Sequence, residues 1–144
     1  MSAALDALQG KVQRMLTSAF GPVHVDADGD FSIRHDSARL FVHCSEFGDD
    51  STTVEMFCPV LFEVPESPEL FRHVATSNSY RFGNMHAIEE GEGTYRIMFK
   101  YALLGDYLDE EELKNAVIML LGTANDLDDS LQQQFGGRRF HEDD

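Results

Sequence analysis

Apolar residues at Leu5, Leu8, Val12, Leu16 and Phe20 recur at intervals of three or four positions, the spacing that places side chains on one face of a helix. Gly21-Pro22 follows as a stop, so the pattern predicts an amphipathic first helix. From Val23 the period changes to two, which predicts a meander of antiparallel strands. Its runs are Val23 to Arg34, broken by the turn residues Asp28-Gly29, then Ala38 to Phe47, then Thr52 to Val64. Pro65 and Pro68 bracket a turn into a helix over Glu69 to Phe82. Asn84 to Glu90 and Thr94 to Leu104 form a hairpin around Gly91-Glu92-Gly93. A final helix opens on Asp109 with Glu112 three residues on, at capping-box spacing, and ends before Gly136-Gly137. The order α-β-β-β-α-β-β-α predicts an α+β fold, an antiparallel sheet of about five strands with helices packed mainly on one face. Residues 1–137 form the single domain and residues 138–144 a loose acidic tail.

Two strands carry more apolar residues than one core needs. Strict alternation puts Val54, Met56, Cys58, Val60, Phe62 and Val64 on one face, and Phe57 and Leu61 on the other beside Thr53, Glu55 and Glu63. The hairpin's second strand divides in the same way, with Met98, Ala102 and Leu104 opposite Ile97, Phe99 and Tyr101. Helices on one side can cover only one of these faces. The other would expose a band of Phe41, Phe57, Leu61 and Met98, the candidate partner-binding residues. Alternatively, a helix covers the second face, or Pro59 bulges its strand and rotates Leu61 inward. In the last helix Leu113, Val117, Leu120, Ala124, Leu127 and Leu131 make the buried stripe. Ile118 and Met119 fall outside it, as dimer contacts or as isolated surface apolars.

The 144 residues include 42% hydrophobic and 26% charged positions, enough for one core burying roughly two-thirds of the unfolded surface. The formal net charge is -15, so phosphate backbones and anionic lipids are repelled and neither nucleic acid nor membrane is expected as a partner. The acidity also suggests basic clients. Cys44 and Cys58 each lie in an apolar run and suit buried reduced thiols in a cytoplasmic compartment. The first residues lack a basic and apolar leader, and Ala116 to Leu121 is too short to span a bilayer, so no export signal or anchor is expected.

Motifs of chemistry are sparse. Asp26, Asp28 and Asp30 alternate as at the start of a calcium loop, but Phe31 and Ser37 stand where that loop needs Gly and Glu, which leaves a hairpin turn. Asp126 and Asp129 share a helix face and could serve a metal-dependent enzyme; a solvated face accounts for them too. The six histidines show no local zinc spacing, although His35 and His43 could meet between strands. Gly91 and Gly93 lack the third glycine and the helix of a phosphate loop. Neither cysteine sits at a predicted helix N-terminus, so no reactive thiolate, catalytic residue or cofactor is expected.

Several motifs point to a family. These are Leu70, Phe71, Val74 and Asn78 with Phe82-Gly83; Leu103-Leu104-Gly105-Asp106 with Leu108 and Asp109; and Ala124-Asn125-Asp126-Leu127-Asp128-Asp129 with Phe135-Gly136-Gly137. Together they resemble the YbjN-like proteins, which are similar in turn to type III secretion chaperones, in the actinobacterial type grouped with both as peptide-binding chaperone-like domains. The resemblance implies a compact α+β fold, a homodimer, no catalytic residue and an extended client segment laid along the surface. On this reading the protein binds a peptide client through apolar sheet residues, with sheet-edge hydrogen bonds adding affinity. Its alternatives are a YbjN-type regulator docking one folded signalling or stress-response partner, and the metal-dependent enzyme of Asp126 and Asp129.

Overall fold

The computed structural model describes residues 2–77 and 79–140. Ten elements follow one another: α1 (Ala3–Phe20), β1 (His24–Val25), β2 (Phe31–His35), β3 (Ala38–Phe47), β4 (Ser51–Pro65), α2 (Pro68–Thr76), β5 (Asn84–Glu89), β6 (Thr94–Leu104), α3 (Glu110–Phe135) and β7 (Arg138–Arg139). The sheet is antiparallel, in the order β1-β2-β3-β4-β6-β5, with β7 paired to β4.

Helix ends follow local chemistry. The Ser2 hydroxyl accepts from the Leu5 amide and the Asp109 carboxylate accepts from the Glu112 amide at 2.8 Å, each satisfying an orphan donor of the first turn. Glu110, Glu111 and Glu112 complement the positive end of the α3 dipole. Helix α2 stops at Thr76, short of the expected Phe82. Thr76 Oγ1 donates to the Arg72 carbonyl and Ser77 Oγ to the His73 carbonyl, so hydroxyls take up the last acceptors. The chain beyond instead lays Tyr80 edge-on to Phe99 at 5.0 Å and Phe82 edge-on to Tyr101 at 5.7 Å.

Among the described residues there are seven strands, where about five were expected. The first run splits because Asp26 Oδ1 accepts from the Asp28 and Asp30 amides, closing a turn with Gly29 at φ +86°. The tail expected to be loose from Arg138 forms β7, whose Arg138 pairs with Phe62 and Arg139 with Leu61. Gly137 permits this. Its φ is +85°, and a Cβ there would stand 2.5 Å from the Phe62 carbonyl oxygen. Residues 141–144, with His141, and Asn78 lie outside the described residues.

All three helices pack on one face of the sheet. Leu8, Val12 and Leu16 of α1 and Leu113, Val117 and Leu120 of α3 bury against Val42, Met56, Cys58, Ile97 and Phe99. Helix α2 closes one end, with Leu70 in the core and Phe71 edge-on to Tyr95 at 5.1 Å. A polar clasp fixes α3 to the β2–β3 turn. The Ser37 amide donates to Asn125 Oδ1 at 3.1 Å, while the Ser37 hydroxyl reaches Asn125 Oδ1 at 2.6 Å and Asp128 Oδ2 at 2.5 Å. Asp128 is buried, so this contact offsets the desolvation of its carboxylate. Ser37→Ala would leave that carboxylate short of a donor and is expected to destabilise the protein by about 1–3 kcal/mol in urea unfolding. Gly137→Ala should strip β7 from β4, read as faster amide exchange at Arg138 and Arg139.

Candidate functional site

Among the described residues the second face of the sheet carries no helix, and its side chains follow from register. Phe41 pairs with Phe57, Phe57 with Lys100, and Lys100 with Asn84, so these four point to one side. Strand β4 then changes phase. Its pairing to β6 shifts between Pro59 and Leu61 and again between Leu61 and Val64, where Glu63 adopts φ +56°. Proline has no amide to donate, and Pro59 lies beyond Phe57, the last β4 partner of β3. The first shift sets Leu61 opposite Ile97 in the core, fully buried. Leu61, placed on the outer band by strict alternation, is therefore a core residue, the outcome of the alternative in which Pro59 bulges its strand. Its neighbour Phe62 faces outward in its place.

Phe41 and Phe57 stack with ring centroids 5.5 Å apart at 16°. Phe140, just after β7, stands edge-on to Phe41 at 6.1 Å and lies 5.6 Å from Phe62, so four half-buried rings form one cluster. Met98 shares this face by its pairing with Pro59 and His86. It is only 5% exposed yet belongs outside the main core cluster, so it forms the floor of the band rather than its surface.

Cations border the rings. The Arg39 guanidinium lies 5.4 Å from the Phe41 centroid, and those of Arg96 and Arg138 lie 5.0 Å and 5.7 Å from that of Phe62. Glu90 holds Arg96 at 2.8 Å, Glu63 holds Arg138 at 2.7 Å, and Arg39 donates to Ser32 Oγ at 3.1 Å. Toward β5 the face continues as a groove of about 330 Å³ whose lining includes Glu55, Asn84, His86, Lys100 and Ala102. Burial and the nearby Lys100 both lower the His86 pKa.

Other candidates are placed elsewhere. Ile118 and Met119 are exposed on α3, and Ile118 borders a separate cleft of about 260 Å³ shared with Phe20, Ile33 and Leu121. Asp126 is exposed and Asp129 is ion-paired with Arg139, while His35 and His43 each lie beside their own aspartate, Asp36 and Asp30. Among the described residues no three His, Cys, Asp or Glu side chains gather as metal ligands. Burial pushes the Cys44 thiol up to about 11, with Asp30 adding to it, and the Cys58 thiol up to about 12. Both are thus protonated at neutral pH. Among the described residues no helix is long and apolar enough to cross a membrane.

Residues 6–143 match a family model described as TY-Chap1, the T3SS (YopN, CesT) and YbjN peptide-binding chaperone 1. The chain belongs to this family. As a TY-Chap1 member it also shares its fold with a chain in the crystal structure of the ExsC-ExsE complex, at TM-score 0.59 and 20% identity over 84% of this chain and 93% of that one. A weaker likeness, at TM-score 0.49 and 9% identity, links 88% of this chain to 98% of one in the structure of the Yersinia pestis type III secretion chaperone SycH with a stable fragment of YscM2. No curated protein matches significantly. TY-Chap1 membership thus agrees with the expected family and α+β fold.

Sequence reasoning missed Phe62, Phe140, Arg39 and Arg138 in this cluster. The signal for Phe62 was Pro59, whose missing amide calls for a bulge and hence for a change of phase. Phe140 lay in the supposed tail, and only the close approach at Gly137 reveals the strand just before it.

Two measurements check the site's electrostatics. A maleimide should leave Cys44 and Cys58 unlabelled in folded protein at neutral pH and modify both in denaturant, as seen by mass spectrometry. In an NMR titration Lys100→Ala should raise the His86 midpoint toward the ordinary value of about 6.5, with the burial contribution remaining. A histidine that resists protonation when folded binds protons more readily when unfolded. Its linked stability is therefore present above about pH 6.5 and declines as the pH falls below that value.

Proposed function

We propose that the protein is a non-catalytic, cytoplasmic peptide-binding chaperone that holds an extended client segment across the helix-free face of its sheet. The observation that carries this reading is the cluster of Phe41, Phe57, Phe62 and Phe140, half-exposed on a face that no helix covers. Neighbouring strands lie about 4.8 Å apart, so Phe57 is about 10 Å from Asn84 on the outermost strand β5. An extended segment crossing that interval reaches the rings, the groove beside Lys100, and the main-chain groups on the open side of β5. Fully burying an aromatic side chain contributes about 1.5–3 kcal/mol, so two or three anchors support reversible binding after the ordering of the client is offset.

The same surface could instead dock one folded partner, as a YbjN-type regulator would. Crosslinking of the native complex followed by mass spectrometry separates the two, since crosslinks spread over disordered segments support the chaperone and a single folded, stoichiometric partner supports the regulator. The substitutions Phe41→Ser and Phe57→Ser should together weaken client binding at least tenfold, about 1.4 kcal/mol, with circular dichroism unchanged. Equal partner recovery by wild type and variant would remove the open face from the mechanism.

We further propose that the chain forms a homodimer through α3. Ile118 and Met119 are 46% and 44% exposed, and Ile118 lines the cleft of Phe20, Ile33 and Leu121. Ile118→Glu with Met119→Glu should halve the mass measured by light scattering. A wild-type monomer at high concentration would exclude the pairing.

A further inference from the structure

The charge of the open face runs against that of the whole molecule. The chain has 11 basic and 26 acidic residues, yet the register places Arg34, Arg39, Arg96, Lys100 and Arg138 on the outward side, against Glu55 and against Glu90 and Glu63, which pair with Arg96 and Arg138. Many of the other acids gather in turns and on α3, which carries Glu110, Glu111, Glu112, Asp126, Asp128 and Asp129 against Lys114.

We infer that the client segment taken by this face is acidic as well as apolar, alternating carboxylate and hydrophobic side chains; the inference rests on the open face being the binding surface. Three observations support it. Arginine guanidiniums stacked beside phenylalanine rings keep planar N–H edges for carboxylates while the rings receive apolar side chains. The protein's own Glu90 and Glu63 already occupy Arg96 and Arg138 in this manner, at 2.8 Å and 2.7 Å. Lys100 is exposed between Phe57 and Asn84 and makes no ion pair among the described residues.

Distance decides whether the acidic body cancels this local field. Helices packed on a sheet lie about 10 Å from it, and the Debye length at physiological salt is about 8 Å. The far-side acids are therefore largely screened at the open face, where Arg34, Arg39, Arg96, Lys100 and Arg138 outnumber Glu55, Glu63 and Glu90. The expectation of basic clients, drawn from net charge, reverses once the charges are placed.

The test uses the full chain and two fluorescent peptides of equal length, one alternating leucine with aspartate and the other leucine with lysine, read by anisotropy at physiological salt. The aspartate peptide should bind at least tenfold tighter than the lysine peptide, weaken as salt rises, and lose at least tenfold in affinity on Phe57→Ser and on Arg34→Glu with Lys100→Glu. Equal or tighter binding of the lysine peptide, still lost on Phe57→Ser, overturns the charge inference and leaves the face intact. Aspartate-peptide binding that none of these substitutions alters overturns the face itself. Tighter binding of a single-stranded oligonucleotide than of the aspartate peptide, through the same rings, overturns the assignment to an acidic peptide.

Discussion

Burial of a single face of the sheet governs everything else in this molecule. Helices α1 and α3 fill one side with closely packed aliphatic side chains, and α2 closes the end of that layer. A sheet with one covered side keeps its other side in water, where an aromatic cluster is costly unless something shelters it. Part of that shelter is internal. Met98 is sunk between neighbours, Phe140 leans over Phe41 and Phe62, and arginine stems lie along the rings. Half-exposed rings remain on that side, and they are the surface we propose for a client.

Much of this fold is readable from residue order because its elements obey simple periods. The three-four spacing of α1 and α3, the cap at Asp109 and the glycine hairpin before Thr94 all agree with the structure. Errors cluster where a local rule was interrupted. Alternation through β4 assigns Leu61 outward and Phe62 inward, and two phase shifts reverse both. Apolar periodicity carried α2 on to Phe82, whereas the Thr76 and Ser77 hydroxyls end it earlier. Of the partner-binding candidates, Phe41 and Phe57 do stand together on the open side, Met98 lies beneath them, and Leu61 belongs to the core. Net charge is a different kind of signal, because a sum over the chain carries no information about which side of a sheet each charge occupies.

The motif residues acquire physical roles in the structure. Asp106 accepts from the amide and hydroxyl of buried Thr52, tying the exit of β6 to the start of β4. Gly83, at φ +82°, has no room for a side chain, since a Cβ would lie 2.5 Å from Leu120 Cδ2. Asn125 and Asp128 clasp Ser37. These positions shape the scaffold rather than the aromatic cluster, so the motif residues bear on how the sheet is held.

The double phase shift in β4 has a consequence for how such a protein can change over time. Between Pro59 and Val64 the chain carries extra residues that decide whether a leucine or a phenylalanine is displayed. Loss or gain of one residue there would invert the display of the neighbouring segment in a single step, exchanging core and surface side chains. Substitutions, by contrast, can retune the displayed side chains one at a time. Related sequences should therefore tolerate altered residues along the open side of this strand far better than altered length within it.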